Sequence, residues 1–295
     1  RLKAELTNGR MMDVMVGDLI IGALGVRHAT LEATGDWKKV GEDGHMHLLT
    51  GAGLMGKLTS KSIHIPQVIE LKYKGHVLVE GHKCGMKDFV LSVAEREFDI
   101  PVILMVGTSM SAGKTTASRI ITRQLKEAGL RVVGAKLAGA GRYKDILTVK
   151  DAGADEVYDF VDVGMPSSII PAEEYRRSLR RLLSMLAHTE ADVAVIEIGS
   201  SPLEPYNGDI AIHEISEQVR CTVLCASDPY AVLGVMTSFD LKPDLATGIA
   251  TNTIAGIELI ERLCGVPAIN IIDSEHLPAL RKKLEEKLGR ELVGA

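Results

Sequence analysis

The stretch GTSMSAGKTT, from Gly107 to Thr116, joins small residues to a lysine and a row of hydroxyls directly after the apolar run PVILMV. Phosphate oxygens are held by successive backbone N–H groups turned inward, by the positive end of a helix, by a mobile cation and, through Mg²⁺, by a hydroxyl. Gly107, Thr108, Ser109, Met110, Ser111, Ala112 and Gly113 supply the amides, Lys114 the cation and Thr115 the hydroxyl, and Thr116 continues the first helical turn. Apolar strand, glycine-rich loop, helix start is the order a nucleotide phosphate loop requires. Gly107 and Gly113 enclose five residues, Thr108 to Ala112, one more than the general spacing. The competing reading is a strand-to-helix turn that binds nothing. Gly-Lys-Thr-Thr at a helix start after an all-apolar strand weighs against it.

Other residues fall where such a loop would need company. Glu197 ends the apolar strand ADVAVIE, so in a parallel sheet it stands at the carboxyl edge where ligands bind. A carboxylate there suits Mg²⁺, directly or through water, or simply caps the element. Lys136 ends an earlier strand at the same edge and is followed by AGAGRYKD, which brings Arg142. Two cations beside a phosphate site suit an acidic substrate or the charge that develops on transfer, although solvent-facing basic residues would read the same. The polar, turn-rich segment GSSPLEPYNGD makes Glu204, Tyr206 and Asn207 candidate substrate contacts, or residues that only shape the turn. Asp228, in Ser-Asp-Pro before a helix, reads as a cap.

The elements that must position these residues follow from periodicity. Residues 1–98 carry short β-type runs rich in glycine and histidine and predict a small β-rich domain, with a hairpin turn at Lys74-Gly75. From residue 99 to 295 apolar strands alternate with amphipathic helices, the mark of an α/β domain with a mainly parallel sheet covered on both faces. Strands are expected at Val102–Val106, Arg131–Lys136, Asp192–Ile198, Cys221–Ala226, Thr247–Thr251 and Ala268–Ile272. Helices are expected from Gly113, near Pro171, within 208–218, near Tyr230, near Ile254 and after Ser274, with Gly129 ending the first. Six of the nine histidines fall in the N-terminal part, and His45 and His47 share one side of a strand, yet no metal-ligand spacing accompanies them. The chain of 295 residues has a net charge of −5, so no global positive field draws it to nucleic acid or an anionic membrane. Four sparse cysteines, two of them inside the buried-strand run CTVLC, fit a reducing compartment, and a cytoplasmic protein is expected.

The shifted glycine spacing, Gly-Thr-x-x-x-x-Gly-Lys-Thr, resembles the loop of dethiobiotin synthetase and its relatives. In that family a lysine within Gly-x-Lys-x-x-x-Gly contacts the substrate, and Gly134-Ala135-Lys136-Leu137-Ala138-Gly139 is similar to it. A glutamate ending a later strand helps to hold Mg²⁺, which the resemblance assigns to Glu197. An aspartate after the lysine's loop is also used for Mg²⁺, and of Asp145 and Asp151 the former is preferred. The family's adenine-reading asparagine corresponds to Asn252, whose amide can both accept from the adenine amino group and donate to a ring nitrogen. The guanine-reading Asn-Lys-x-Asp pattern is absent, which favours ATP. No lysine stands at Ser109, where the partitioning and metal-chaperone ATPases of similar fold place one. The two-domain plan also resembles a P-loop family that includes D-glutamate N-acetyltransferases.

These readings lead to an enzyme that uses ATP and Mg²⁺ to phosphorylate or activate a carboxylate or related acidic small molecule. Lys114 would stabilise charge on the β and γ phosphates, Thr115, Glu197 and Asp145 would hold Mg²⁺, and Lys136 would orient the acidic group. The N-terminal domain would cover the site or line part of it, because pockets favour domain interfaces. A homo-oligomer is expected, with no nucleic-acid or membrane partner. N-acyl transfer from an acyl-coenzyme A on the same loop, and a nucleotide-driven chaperone or switch, are the alternatives.

Overall fold

A computed structural model describes residues 2–292. The N-terminal part holds ten short strands: β1 (Ala4–Glu5), β2 (Met11–Met12), β3 (Ala23–Leu24), β4 (Val26–His28), β5 (Ala33–Asp36), β6 (His45–Leu48), β7 (Leu54–Lys61), β8 (Ile69–Lys72), β9 (Leu78–Val79) and β10 (His82–Lys83). Its main sheet runs β4-β5-β7-β6-β8 in antiparallel pairing, with β3 added parallel to β7. Alternation gives it a small core of Ala4, Met46, Leu48 and Met55. The hairpin expected at Lys74-Gly75 lies elsewhere. β8 pairs with β6, and the tight turn joins β9 to β10 at Glu80-Gly81, where φ values of 50° and 81° supply the two left-handed residues a two-residue hairpin needs.

From residue 102 the chain builds six parallel strands: β11 (Val102–Gly107), β12 (Val132–Ala138), β13 (Glu156–Asp159), β14 (Val193–Ile198), β15 (Val219–Cys225) and β16 (Leu245–Thr247), in the order β13-β12-β14-β11-β15-β16. Seven helices accompany them: α1 (Lys114–Glu127), α2 (Tyr143–Asp151), α3 (Ala172–Ala187), α4 (Gly208–Glu214), α5 (Pro229–Phe239), α6 (Ile254–Cys264) and α7 (Leu277–Leu288). The strands are apolar at nearly every position because both faces are covered. Ile103 and Met105 pack with Ile121 and Leu125 of α1, whereas Val102, Leu104 and Val106 join Leu179 and Leu182 of α3 on the other face. The six helices expected from the sequence all form, and Gly129 ends α1 at a φ of 79°.

Four elements differ from expectation. The polar strand β13 is legible only as an edge partner of β12, since an edge strand need not be apolar throughout. α2 begins at Tyr143, and Arg142 before it provides no side-chain cap, so its start carries no sequence signal. Ala268–Ile272 forms no strand, only an isolated bridge from Ala268 to Ala246, and β16 stops at Thr247 because Gly248, at a φ of 96°, breaks the extended run.

The two parts meet in an apolar cluster of Leu49 and Leu54 from the N-terminal sheet with Ala140 and Tyr206. Tyr206 Oη accepts from His28 N at 2.7 Å, and Glu204 Oε1 accepts from Thr30 N at 2.8 Å and Thr30 Oγ1 at 2.7 Å. The N-terminal module is thereby fastened to the loop that follows β14, at the carboxyl edge of the parallel sheet. Among the described residues no helix is long and apolar enough to cross a membrane.

Candidate functional site

The loop from Thr108 to Gly113 leaves the end of β11, where neighbouring strands β14 and β15 diverge to opposite sides of the sheet order. Among the described residues, the N–H groups of Met110, Ser111, Gly113, Lys114 and Thr115 donate to no protein acceptor. They are free for a ligand at the positive end of α1. Side chains on the loop's back hold its shape. Thr108 Oγ1 accepts from Ser227 N at 3.1 Å, and Ala112 is fully buried. Gly248 lies so close behind that a Cβ there would come within 2.3 Å of Ala112 O. Gly113 takes a left-handed φ of 102°, which turns the chain into the helix.

Lys114 is 1% exposed and donates from Nζ to Ser109 O at 2.7 Å. Its stem crosses Gly107, where a Cβ would meet Lys114 Cδ and Nζ at 2.7 Å, so the first glycine is the floor on which the lysine lies. Burial pushes the Lys114 pKa down, opposed by the nearby Glu197 carboxylate. Thr115 Oγ1 donates to Glu197 Oε2 at 3.1 Å, which sets a hydroxyl and a carboxylate side by side at the helix start.

The sheet aligns the remaining charges. Lys136 is in register with Glu197 on one side and with Asp159 on the other, so three ionisable side chains stand in a row across β14, β12 and β13. Period-two alternation turns Lys136 and Glu197 to the α1 face, because Val133, Ala135 and Leu137 occupy the opposite one. Lys136 is 4% exposed and donates to Asp145 Oδ2 at 2.7 Å. A Cβ on Gly199 would lie 2.5 Å from Lys136 Cε, so this glycine keeps the lysine's channel open. Burial alone would lower the Lys136 pKa, but Asp145 and Glu197 outweigh it and hold it raised. Asp145 is half-buried, which pushes its carboxyl up, yet the Lys136 cation outweighs this and keeps it below the usual value. Burial raises Glu197, with Lys136 opposing and Asp145 adding to the rise. Asp159, which sequence reasoning missed along with its strand, is pushed up to about 7 by burial and by Asp162.

A cavity of about 570 Å³ opens over this row. It is lined by Lys114 and Thr115 from α1, by Lys136 and Glu197 from the parallel sheet, and by Arg27, Glu32, Thr50 and His64 from the N-terminal module, so both parts build it. Six cationic side chains (Arg27, Lys114, Arg119, Lys136, Arg142 and Lys144) face three carboxylates (Glu32, Asp145 and Glu197) there. In a chain of net charge −5 that is a local bias toward anions. Of the six N-terminal histidines, His64 alone lines the cavity, while His45 and His47 stack edge to face at 5.2 Å on β6. Another hollow, between the 95–98 segment, α3 and the turn after α4, shares none of these residues.

Hard oxygen donors of this kind suit Mg²⁺, which takes one or two protein oxygens and completes its shell with phosphates and water. Thr115 Oγ1 and Glu197 fit, while Asp145 is held by Lys136. Among the described residues no group of three or more His, Cys, Asp or Glu side chains converges as a self-sufficient metal cage.

Sequence expectation and structure part at the loop after β14. Glu204 spends its carboxylate on Thr30 and, through Oε2, on Ser201 N at 2.8 Å. Tyr206 is fully buried against His28, and Asn207 Nδ2 donates to Ser168 O at 2.7 Å and Ile170 O at 3.0 Å. Glu204 and Tyr206 fasten this loop to the N-terminal module, Asn207 ties it to the segment before α3, and none of the three lines either cavity described above. Arg142, by contrast, is exposed at the cavity mouth. Asn252 is exposed on the turn after β16, two strands from β11 on the side opposite Lys136.

Sheet order, loop and helix together define a P-loop α/β domain, whose loop amides suit phosphate groups. Residues 90–141 match a family described as a domain of unknown function (DUF1611_C), P-loop domain. No curated protein matches this chain. Among solved structures, chloroplast FtsY from Physcomitrella patens is 14% identical with a TM-score of 0.39, over 62% of this chain and 62% of that one. HypB from Helicobacter pylori in complex with nickel is 15% identical with a TM-score of 0.42, over 65% of this chain and 88% of that one. FtsY from Mycoplasma mycoides is 12% identical with a TM-score of 0.43, over 61% and 62%. The chain thus spans about three fifths of the length of the FtsY structures it matches.

Proposed function

We propose that the chain binds ATP with Mg²⁺ on this loop and uses it to phosphorylate or activate a carboxylate, or a similar acidic group, of a small molecule. The observation that carries the reading is the buried Lys136 ammonium in the same cavity as Lys114, Thr115 and Glu197. A second buried cation beside a phosphate site orients an acidic group toward the terminal phosphate. In the step proposed, a substrate carboxylate oxygen bonds to the γ-phosphorus as the bond from that phosphorus to the β,γ-bridging oxygen breaks. The electron pair leaves on ADP, whose charge Lys114 meets. Mg²⁺, when bound, neutralises charge on the β and γ oxygens; Thr115 and Glu197 would hold it, and Asp145 would contribute if released by Lys136. Asn252 is kept as the adenine reader, and the loop spacing resembles dethiobiotin synthetase. The local rather than global positive charge fits a small acidic partner and neither nucleic acid nor membrane. A homo-oligomer in the cytoplasm remains part of the proposal.

Arg119, Arg142 and Lys144 at the cavity mouth favour a second reading, in which they and the loop hold the phosphates of an acyl-coenzyme A and no phosphoryl group moves. The two-domain resemblance to D-glutamate N-acetyltransferases points the same way. Purified protein incubated with MgATP or acetyl-coenzyme A and a panel of acidic metabolites separates the two. Metabolite-dependent ADP release supports the first, and free-thiol release with no ADP replaces it by the second. A chain that releases neither, and whose stability no nucleotide raises, is not this enzyme.

A further inference from the structure

Arg27 belongs to the N-terminal sheet, on β4, yet it lines the cavity of the phosphate loop. It is 8% exposed, and its Nε is buried without a hydrogen-bond partner. Nη1 donates to Leu49 O at 2.6 Å and Nη2 pairs with Glu32. The other oxygen of Glu32 accepts from Ser111 Oγ of the phosphate loop at 2.6 Å. One carboxylate therefore separates a buried guanidinium from the loop that grips phosphate. The placement is not accidental to β4. His28 N and Thr30 N, the neighbours of Arg27, are tied to Tyr206 and Glu204 on the loop that follows Glu197's own strand.

From this geometry we infer that Arg27 is supplied in cis by the N-terminal module to the terminal phosphate of a nucleoside triphosphate on the loop, with Glu32 holding the guanidinium in place until that phosphate takes over as acceptor. The inference rests on the nucleotide reading above. A planar guanidinium presents paired N–H donors that match two phosphate oxygens, and a carboxylate occupies those donors until a stronger anion arrives. A diphosphate ends short of the group Arg27 would meet. Arg27 therefore sets the preference for triphosphate over diphosphate and leaves the grip on the β-phosphate to the loop and Lys114.

The test is calorimetric titration of the full chain with MgADP and with the β,γ-imido analogue of MgATP. Arg27→Ala is expected to weaken the analogue by about 10- to 100-fold and to leave ADP within about twofold, the range set by loss of charge-assisted hydrogen bonds. Glu32→Gln, which frees the guanidinium, is expected to bind the analogue at least as tightly as the unaltered chain. A merely structural pair predicts instead that both substitutions weaken both nucleotides alike, and that result overturns the inference, as does unchanged discrimination in Arg27→Ala. If Arg27→Ala does not fold, Arg27→Lys takes its place, because an ammonium keeps the charge and loses the fork. An analogue affinity in Arg27→Lys equal to that of the unaltered chain counts against Arg27. Failure of the unaltered chain to bind either nucleotide removes the nucleotide reading and this inference together, an outcome distinct from the others.

Discussion

Gly107→Ala separates stability from phosphate binding at one position. The glycine's φ is not left-handed, so the backbone accepts alanine, and the three atoms nearest the added methyl all belong to Lys114: Cδ and Nζ at 2.7 Å and Cγ at 3.0 Å. Carbon atoms in contact prefer about 3.5–4.0 Å, so the stem must retreat by roughly 1 Å. A side chain can do this where a backbone cannot, and the loss of stability should stay near about 1 kcal/mol, the low end of overpacking. The retreat moves Nζ off its 2.7 Å bond to Ser109 O and away from the place where β and γ oxygens must lie. Losing a charge-assisted hydrogen bond of that kind costs about 1.5–3 kcal/mol, or roughly 10- to 150-fold in affinity. Urea unfolding and calorimetric titration with MgATP on the same preparation read the two effects. A variant that keeps its nucleotide affinity, or that loses it only by unfolding, shows that Lys114 does not grip phosphate across Gly107.

Gly199→Ala should behave in the opposite way. Its methyl would lie 2.4 Å from Ala138 O, a backbone atom, and 2.5 Å from Lys136 Cε, so a stability loss of about 1–3 kcal/mol is expected by urea unfolding, and an unchanged midpoint would refute the packing described. Tyr206→Phe leaves the His28 N–H without its protein acceptor and should cost about 0.5–1.5 kcal/mol by the same assay, together with weaker binding of any ligand that needs Arg27; equal stability would show that water takes the hydroxyl's place. Asp159 titrates near pH 7 in the folded chain against an ordinary 3.8, so between those values the native state holds the extra proton and stability falls as pH rises. Asp159→Asn keeps the acceptor for Val161 N and removes the charge, so the fall between pH 4 and 7 should flatten and the variant should gain up to about 4 kcal/mol above pH 7. Thermal midpoints across that range, parallel in the two proteins, would contradict the assignment.

Much of the parallel sheet was legible because buried strands and their helices repeat with fixed periods. The runs at β11, β12, β14 and β15 are apolar at most positions, and α1 announces its end with Gly129. The phosphate loop was legible for the same local reason: strand, loop amides, Lys114 and Thr115 are contiguous, so no long-range contact is needed to bring them together. Glu197 and Lys136 could be placed at one edge because parallel strands end on the same side. The edge strand β13 escaped, and Asp159 with it, because a strand covered on one side carries no continuous apolar signal. Glu204, Tyr206 and Asn207 look identical in sequence whether they meet a substrate or another part of the chain, and only the folded chain shows Glu204 and Tyr206 bonded to the N-terminal sheet and Asn207 to the segment before α3.

By itself, then, the sequence determined the chemistry whose parts are neighbours along the chain, a phosphate loop on an α/β sheet with a β-rich module ahead of it. The tertiary structure alone decided what faces that loop. Arg27 and Glu32 come to Ser111 from some eighty residues away. Sequence periodicity encodes which side of an element is buried but not which distant element covers it. That partner is chosen by packing and by hydrogen bonds such as the one from His28 to Tyr206, whose two halves lie 178 residues apart.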